Sequence, residues 1–144
     1  MSKREFLVDE IEVGHTFSPL VYPISQELIR QYVDTVGDRD PLHRDACYAQ
    51  LGGYGGIIAP PTIAALYVLK AYRTDSVPSP GGVHFRQRFK FYRPIRGGDV
   101  LRVQARLVDK YVNKGRKFLV IESLAQNQDG EDVVWSESTS FWAG

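Results

Sequence analysis

Apolar residues recur along this chain with two different periods, one in each half. After Ser25, the residues Leu28, Ile29, Tyr32, Val33 and Val36 fall on one face of a 3.6-residue repeat. Ser25 is a helix-capping residue type, Gly37 is a natural stop, and Pro41 forbids a restart before it. The spacing therefore predicts a helix near 25–36. Asp45 predicts a second, short helix over 46–51, which Gly52, Gly53, Gly55 and Gly56 end in a turn. The stretch from Thr62 to Tyr72 is apolar nearly all round and follows Pro60-Pro61, a pair suited to a first helical turn. It predicts a helix buried on all sides. Residues 74–82 hold Pro78, Pro80, Gly81 and Gly82 and predict a loop.

In the second half the period drops to two. Val83, Phe85, Gln87, Phe89 and Phe91 alternate with His84, Arg86, Arg88, Lys90 and Tyr92, which predicts a half-buried strand with one basic face. Gly97-Gly98 turns the chain into a strand over 100–112, Asn113-Lys114-Gly115 into one over 117–127, and Asp129-Gly130 into one over 132–142. Long consecutive strands predict an antiparallel sheet, and one apolar helix is available to bury against it. The class is α+β, with an antiparallel sheet curved around a central helix.

Composition narrows the field. A chain of 144 residues fits one domain, 1–144, and 24% charged with 12% aromatic residues excludes intrinsic disorder. Eighteen Lys plus Arg against 17 Asp plus Glu leave a net charge of +1, too little for a field that gathers nucleic acid or an anionic membrane. The single Cys47 has no internal disulfide partner and points to a reducing, cytoplasmic setting. Met1–Phe6 lacks the apolar stretch of a signal peptide, and no run reaches the roughly 18 apolar residues that cross a bilayer. Zinc patterns, phosphate loops and nucleophile elbows are missing from the sequence.

The densest titratable cluster is Gly37-Asp38-Arg39-Asp40-Pro41-Leu42-His43-Arg44-Asp45, in the loop after the first helix. Asp38 and His43 stand five positions apart, and in a turn-rich loop both side chains can converge on one water. A carboxylate and an imidazole are the usual pair for moving protons near neutrality. Plainer readings compete. Asp38 and Asp40 are common turn formers, Asp45 is a helix cap, and a lone loop histidine is most often a solvated residue. A metal site of Asp38, Asp40, His43 and Asp45 is weaker, because no second histidine stands nearby.

Two segments carry a resemblance. Tyr32 through Gly37-Asp38-Arg39-Asp40-Pro41-Leu42-His43 to Ile57-Ile58-Ala59-Pro60-Pro61-Thr62 is similar to the MaoC-like dehydratase family of the hotdog fold. Within it the chain resembles (R)-specific enoyl-CoA hydratases, which carry Y…G-D-x-N-P-L-H. Phe89 to Asp99 resembles the family's strand and turn ending R-P-[VI]-x-x-G-D. The resemblance implies reversible addition of water to a trans-2-enoyl thioester, giving a (3R)-hydroxyacyl thioester, as in fatty acid metabolism. It implies that Asp38 and His43 are the catalytic residues that hold and activate the water. Neither metal nor organic cofactor is implied beyond the coenzyme A or phosphopantetheine of the substrate. Backbone N–H donors at a helix start would stabilise the enolate-like oxygen.

The chain departs from the pattern twice. Asp40 stands where the signature has Asn, adding a second carboxylate beside Asp38. Ala59-Pro60-Pro61 replaces an H-G-M whose glycine N–H serves the oxyanion, and proline has no N–H. The donor then moves to Thr62. An A-P-P-T start also resembles a branch that includes non-catalytic partner subunits of two-chain dehydratases. Arg86, Arg88, Lys90, Arg93 and Arg96 concentrate positive charge that either meets substrate phosphates or keeps a strand edge soluble. Arg93 stands out as a substrate-binding candidate because it lies in the matched R-P segment. His15 and His84 match no motif. The bulk of Ile63, Leu66 and Tyr67 on the apolar helix is expected to limit acyl-chain depth. An unpaired sheet edge and the resemblance together predict a homodimer, with a partner dehydratase subunit as the alternative assembly. A hotdog thioesterase is the competing activity.

Overall fold

The computed structural model describes residues 3–143. In chain order the elements are β1 (Arg4–Phe6), β2 (Leu20–Pro23), α1 (Gln26–Val36), α2 (Ala46–Leu51), α3 (Ala65–Val68), β3 (Ser76–Pro78), β4 (Val83–Phe91), β5 (Val100–Asn113), β6 (Arg116–Gln126) and β7 (Asp132–Ala143). Five strands form one antiparallel sheet in the order β2-β5-β6-β7-β4. β1 and β3 form a small parallel pair at its side.

The long strands follow from their alternation. Leu101, Val103, Ala105 and Leu107 of β5 are all fully buried, while Arg102, Gln104 and Arg106 between them face outward. Leu119 and Ile121 of β6 and Val134 of β7 continue this apolar face, and Ile63 and Tyr67 pack into it. α1 is capped by the Ser25 hydroxyl, which accepts from the Leu28 amide, and ends at Gly37, whose φ of 75° suits a residue without a Cβ. Its Ile29 and Val33 are fully buried.

Three expectations need correction. The segment 74–82 is not all loop, because Ser76–Pro78 pairs with Arg4–Phe6. The central helix is shorter and less uniformly buried than 62–72. A 3-10 turn at Pro61–Ala64 precedes regular α-helix over only Ala65–Val68, and tight turns carry the chain to Arg73. Prolines at 60 and 61 supply no donors for an α start, and Ile63 is β-branched. Ile63, Ala64, Tyr67, Val68, Ala71 and Tyr72 are buried, whereas Pro61, Thr62, Ala65 and Lys70 are exposed.

The third correction concerns β4. A bulge at Phe85 shifts the pairing from His84↔Ser140 to Arg86↔Thr139. Gln87, Phe89 and Phe91 stay on the helix side of the sheet, but His84 joins them, and Val83 and Phe85 turn to the outer side. There Phe85 meets Phe118 and Phe141 edge-on, those two rings tilt against each other, and Tyr111 stacks on Phe118 at 4.8 Å. β4 is also the end strand of the sheet, so its apolar side chains are incompletely covered. Phe85 is 55% exposed and Phe91 43%.

Candidate active site

The loop after α1 is built by its own side chains. Asp38 Oδ1 accepts the Asp40 amide at 2.9 Å, and Asp40 Oδ1 accepts the Leu42 amide at 3.0 Å. These two turns lead into the 3-10 turn Pro41–His43, which Asp40 caps. Asp45 then caps α2 by accepting from the amides of Cys47 and Tyr48. The loop is also held from outside. Arg44 donates from Nε and Nη2 to the Asp38 carbonyl at 2.9 and 2.8 Å, while its Nη1 lies 2.8 Å from Asp34 of α1.

His43 is 8% exposed and its ring is fixed by one bond. Nδ1 lies 2.6 Å from the Ile58 carbonyl oxygen. A carbonyl only accepts, so Nδ1 carries the proton, and in the neutral ring Nε2 is left with a free lone pair. Nε2 faces Asp38 Oδ2 across 3.8 Å. That gap is too long for a direct hydrogen bond, and its length suits one bridging water oxygen about 2.8 Å from each atom. Asp38 Oδ1 is already used in the loop, so Oδ2 is the oxygen that points to the shared volume.

Ile58 connects the pair to the rest of the molecule. Its amide donates to the Leu42 carbonyl at 3.2 Å, the Ala59 amide donates to Ile95, and the Gly97 amide to Ile57. The matched turn before β5 is itself locked. Asp99 is buried and accepts from the Arg96 amide at 2.9 Å and from Gln128 at 3.1 Å, and Arg96 reaches the Tyr54 carbonyl. A cavity of about 360 Å³ opens beside Ile58, lined by Ala59, Pro61, Phe91 and Tyr92 among others.

The predicted residues take distinct places. Asp38 and His43 face one another. Thr62 is exposed at the start of the central helix, and its hydroxyl accepts from Tyr32 Oη at 2.8 Å. Its amide occupies the first turn, where helices leave donors unpaired. Asp40 directs its carboxylate into the loop. Arg93 borders the cavity, but its guanidinium is engaged by Glu131 at 2.7 Å and by the Asp132 carbonyl at 3.1 Å. Two residues inside the quoted motifs, Arg44 and Tyr32, make contacts that the sequence did not foretell. Arg44 acts on backbone, which leaves no motif, and Tyr32 pairs with Thr62 thirty positions away. Among the described residues, no three His, Cys, Asp or Glu side chains gather as a metal site would need. No helix among them is long and apolar enough to cross a membrane.

A curved antiparallel sheet around a short central helix, with an Asp and a His in the loop after α1, defines a hotdog protein of the dehydratase and hydratase class. The match to the model of the FAS1-like dehydratase domain region spans residues 12–135, and the chain belongs to this family of MaoC-like proteins. Among curated relatives, a UPF0336 protein of Saccharopolyspora erythraea is 35% identical over 141 residues, covering 92% of this chain and 89% of the relative. Among solved structures, the (R)-hydratase PhaJ1 of Pseudomonas aeruginosa superposes with a TM-score of 0.78 at 27% identity, over 94% of this chain and 84% of that one. The C-terminally truncated HadBC (3R)-hydroxyacyl-ACP dehydratase complex of Mycobacterium tuberculosis matches at a TM-score of 0.76 and 28% identity, over 90% and 96%.

Proposed function

We infer that the chain is an enoyl-thioester hydratase, running reversibly as a (3R)-hydroxyacyl-thioester dehydratase. The observation that carries this reading is the lock on His43. With Nδ1–H given to Ile58, only Nε2 is free, and it faces Asp38 Oδ2 at 3.8 Å; Ile58, which holds the ring, also lines the cavity of about 360 Å³. Asp38 orients the water by accepting one of its hydrogens. His43 Nε2 takes the other as the oxygen bonds to C3 of the enoyl group. The electron pair of the C2–C3 double bond moves to the thioester carbonyl oxygen. C2 then takes the proton held on His43 Nε2, the carbonyl re-forms, and the ring returns to its starting form. The Thr62 amide is the donor assigned to the transient enolate oxygen. Every atom of the product comes from water and substrate, so the scheme calls for no further cofactor.

The thioester carrier is coenzyme A or the phosphopantetheine of a carrier protein, and a second hotdog chain completes the particle. A subunit that lacks activity until its partner is added is the second reading. It is favoured by one feature, the loss of two N–H donors at Pro60 and Pro61. The test is hydration of crotonyl-CoA by the purified chain, followed by loss of enoyl absorbance. Asp38→Asn and His43→Ala are each expected to lower kcat by about 10²–10⁴-fold with the fold retained. Full activity in both variants would overturn the assignment. Release of free thiol in place of hydration would identify a thioesterase, and turnover only after adding a second chain would identify the subunit.

A further inference from the structure

A second cavity lies at the far end of β4 from Phe91 and Ile58. It holds about 260 Å³ and opens between the turns that follow α3 and the chain entering β4. Arg73, Ser79, His84 and Ser140 are its polar side chains, and Leu69, Tyr72 and Trp142 supply apolar walls. Among the described residues, no carboxylate lines it.

Three features of the fold converge on this cavity. The first is the bulge at Phe85. Plain alternation would set His84 on the outer side with Arg86 and Arg88. The extra residue turns it to the helix side, directly opposite Ser140 of β7, with Cβ atoms roughly 5 Å apart. The second is a row of serines. Ser136, Ser138 and Ser140 follow one another on the helix side of β7 and are buried, at 1%, 4% and 8% exposure. A buried hydroxyl calls for a partner. Ser136 shares a hydrogen bond with Ser123, and Ser138 donates to Gln87 at 2.6 Å. Ser140 lines the cavity, and among the described residues its hydroxyl has no such partner. The third is Gly82. A Cβ there would stand 2.6 Å from the Trp142 indole, so glycine lets the backbone lie against the ring and keeps the ring as a wall. Trp142 Nε1 is itself held by the Ser79 carbonyl at 2.8 Å.

Charge selects the ligand. Arg73 is fixed through its backbone, its amide donating to the Lys70 carbonyl and its carbonyl accepting from Lys3 Nζ. Its guanidinium lies over the Tyr72 ring, 5.6 Å from the centroid. Among the described residues, no carboxylate is within 4.0 Å of it. Asp75, two positions on, gives both of its oxygens to Ser18. One full positive charge, an imidazole and a hydroxyl therefore face the same space, with apolar surface beside them. A guanidinium fork matches the two oxygens of a carboxylate, and a single cation suits a monoanion.

We propose that this cavity binds a small carboxylic acid as its anion. Arg73, His84 and Ser140 hold the carboxylate, and a short apolar tail lies against Leu69, Tyr72 and Trp142. The site stands whether or not Asp38 and His43 hydrate a thioester.

The test is an NMR titration of the full chain with hexanoate, read at the Trp142 indole N–H and the His84 ring protons. Hexanoate is expected to shift both saturably, with a Kd of about 1 mM or below. Uncharged hexanamide should bind roughly tenfold more weakly or worse. Ser140→Ala and Arg73→Gln each remove a bond to the charged group and should each weaken hexanoate by about tenfold. Arg102→Gln removes a cation from the outer side of β5 and should leave the Kd within about twofold. The unliganded Trp142 signal, unmoved in each variant, shows that the wall is intact. Hexanamide binding as tightly as hexanoate overturns the proposal, as does inorganic phosphate binding more tightly. An unchanged Kd in Ser140→Ala or Arg73→Gln, or no saturable shift at either reporter, overturns it as well.

Discussion

Replacing Arg44 by Met is expected to disable the site without touching the reacting groups. Three contacts leave with the side chain: two hydrogen bonds to the Asp38 carbonyl at 2.9 and 2.8 Å, and the contact with Asp34 at 2.8 Å. Hydrogen bonds from charged donors are worth about 1.5–3 kcal/mol each, and exposed ion pairs about 0–1. The Arg44 side chain is 38% exposed and Asp34 58%, so solvent recovers much of this. A net loss of about 1–2 kcal/mol follows, which lowers Tm by about 3–8 °C in a domain of this size. The effect on rate is larger, because a misplacement of about 1 Å costs on the order of 10²-fold. In the crotonyl-CoA assay, Arg44→Met should lower kcat by about 10- to 100-fold and leave KM within about twofold. Arg44→Lys keeps the charge but loses the fork, and should fall between the two. Asp34→Asn removes only the ion pair and should cost less than about threefold. Hydrogen exchange of the amides from Asp40 to His43 should quicken in Arg44→Met alone. A variant with normal kcat, or one whose slow amides are unaffected, would show that Asp38 is not placed through its backbone.

Two further expectations concern groups outside the site. Tyr67 is fully buried with a hydroxyl that has no partner among the described residues, and burial holds its phenol well above the usual range. Tyr67→Phe should therefore match wild type or gain up to about 2 kcal/mol in urea unfolding, and a loss of more than about 1 kcal/mol would reveal a partner for the hydroxyl. Asp75 accepts from the Ser18 amide at 2.9 Å and the Ser18 hydroxyl at 2.6 Å, and these bonds hold its carboxyl below the ordinary range. The charged form is the favoured one, so this stabilisation is present at neutral pH and fades as pH falls through the depressed value. Ser18→Ala should raise the Asp75 pKa in a carboxyl NMR titration, and an unmoved titration would rule out the hydroxyl as its cause.

Much of this was legible along the chain, for reasons that differ by element. β5 announces itself because one side of it is buried and the other is not over Val100–Leu107, while β6 and β7 are bounded by the turns Asn113-Lys114-Gly115 and Asp129-Gly130 although parts of both are buried on two sides. α1 and the Asp45 cap are local, so local residues specify them. β1, β2 and β3 have three or four residues each, too few for any period to show, and β1 meets β3 some seventy positions later. The bulge was invisible because Val83 to Tyr92 alternates without interruption. The extra residue is dictated by pairing with β7, which no single strand records. Asp38 and His43 stood out as a titratable pair near a resembling motif. The tautomer of His43 did not, since it depends on a carbonyl fifteen positions away.

The bulge at Phe85 reaches beyond the strand that holds it. By turning Phe85 outward beside Phe118, Phe141 and Tyr111, it gives the sheet a second, smaller apolar layer on the side away from the helix. The neighbouring stretches of β6 and β7 are thus buried on both faces. Part of what holds that corner together therefore comes from contacts that do not pass through the central helix.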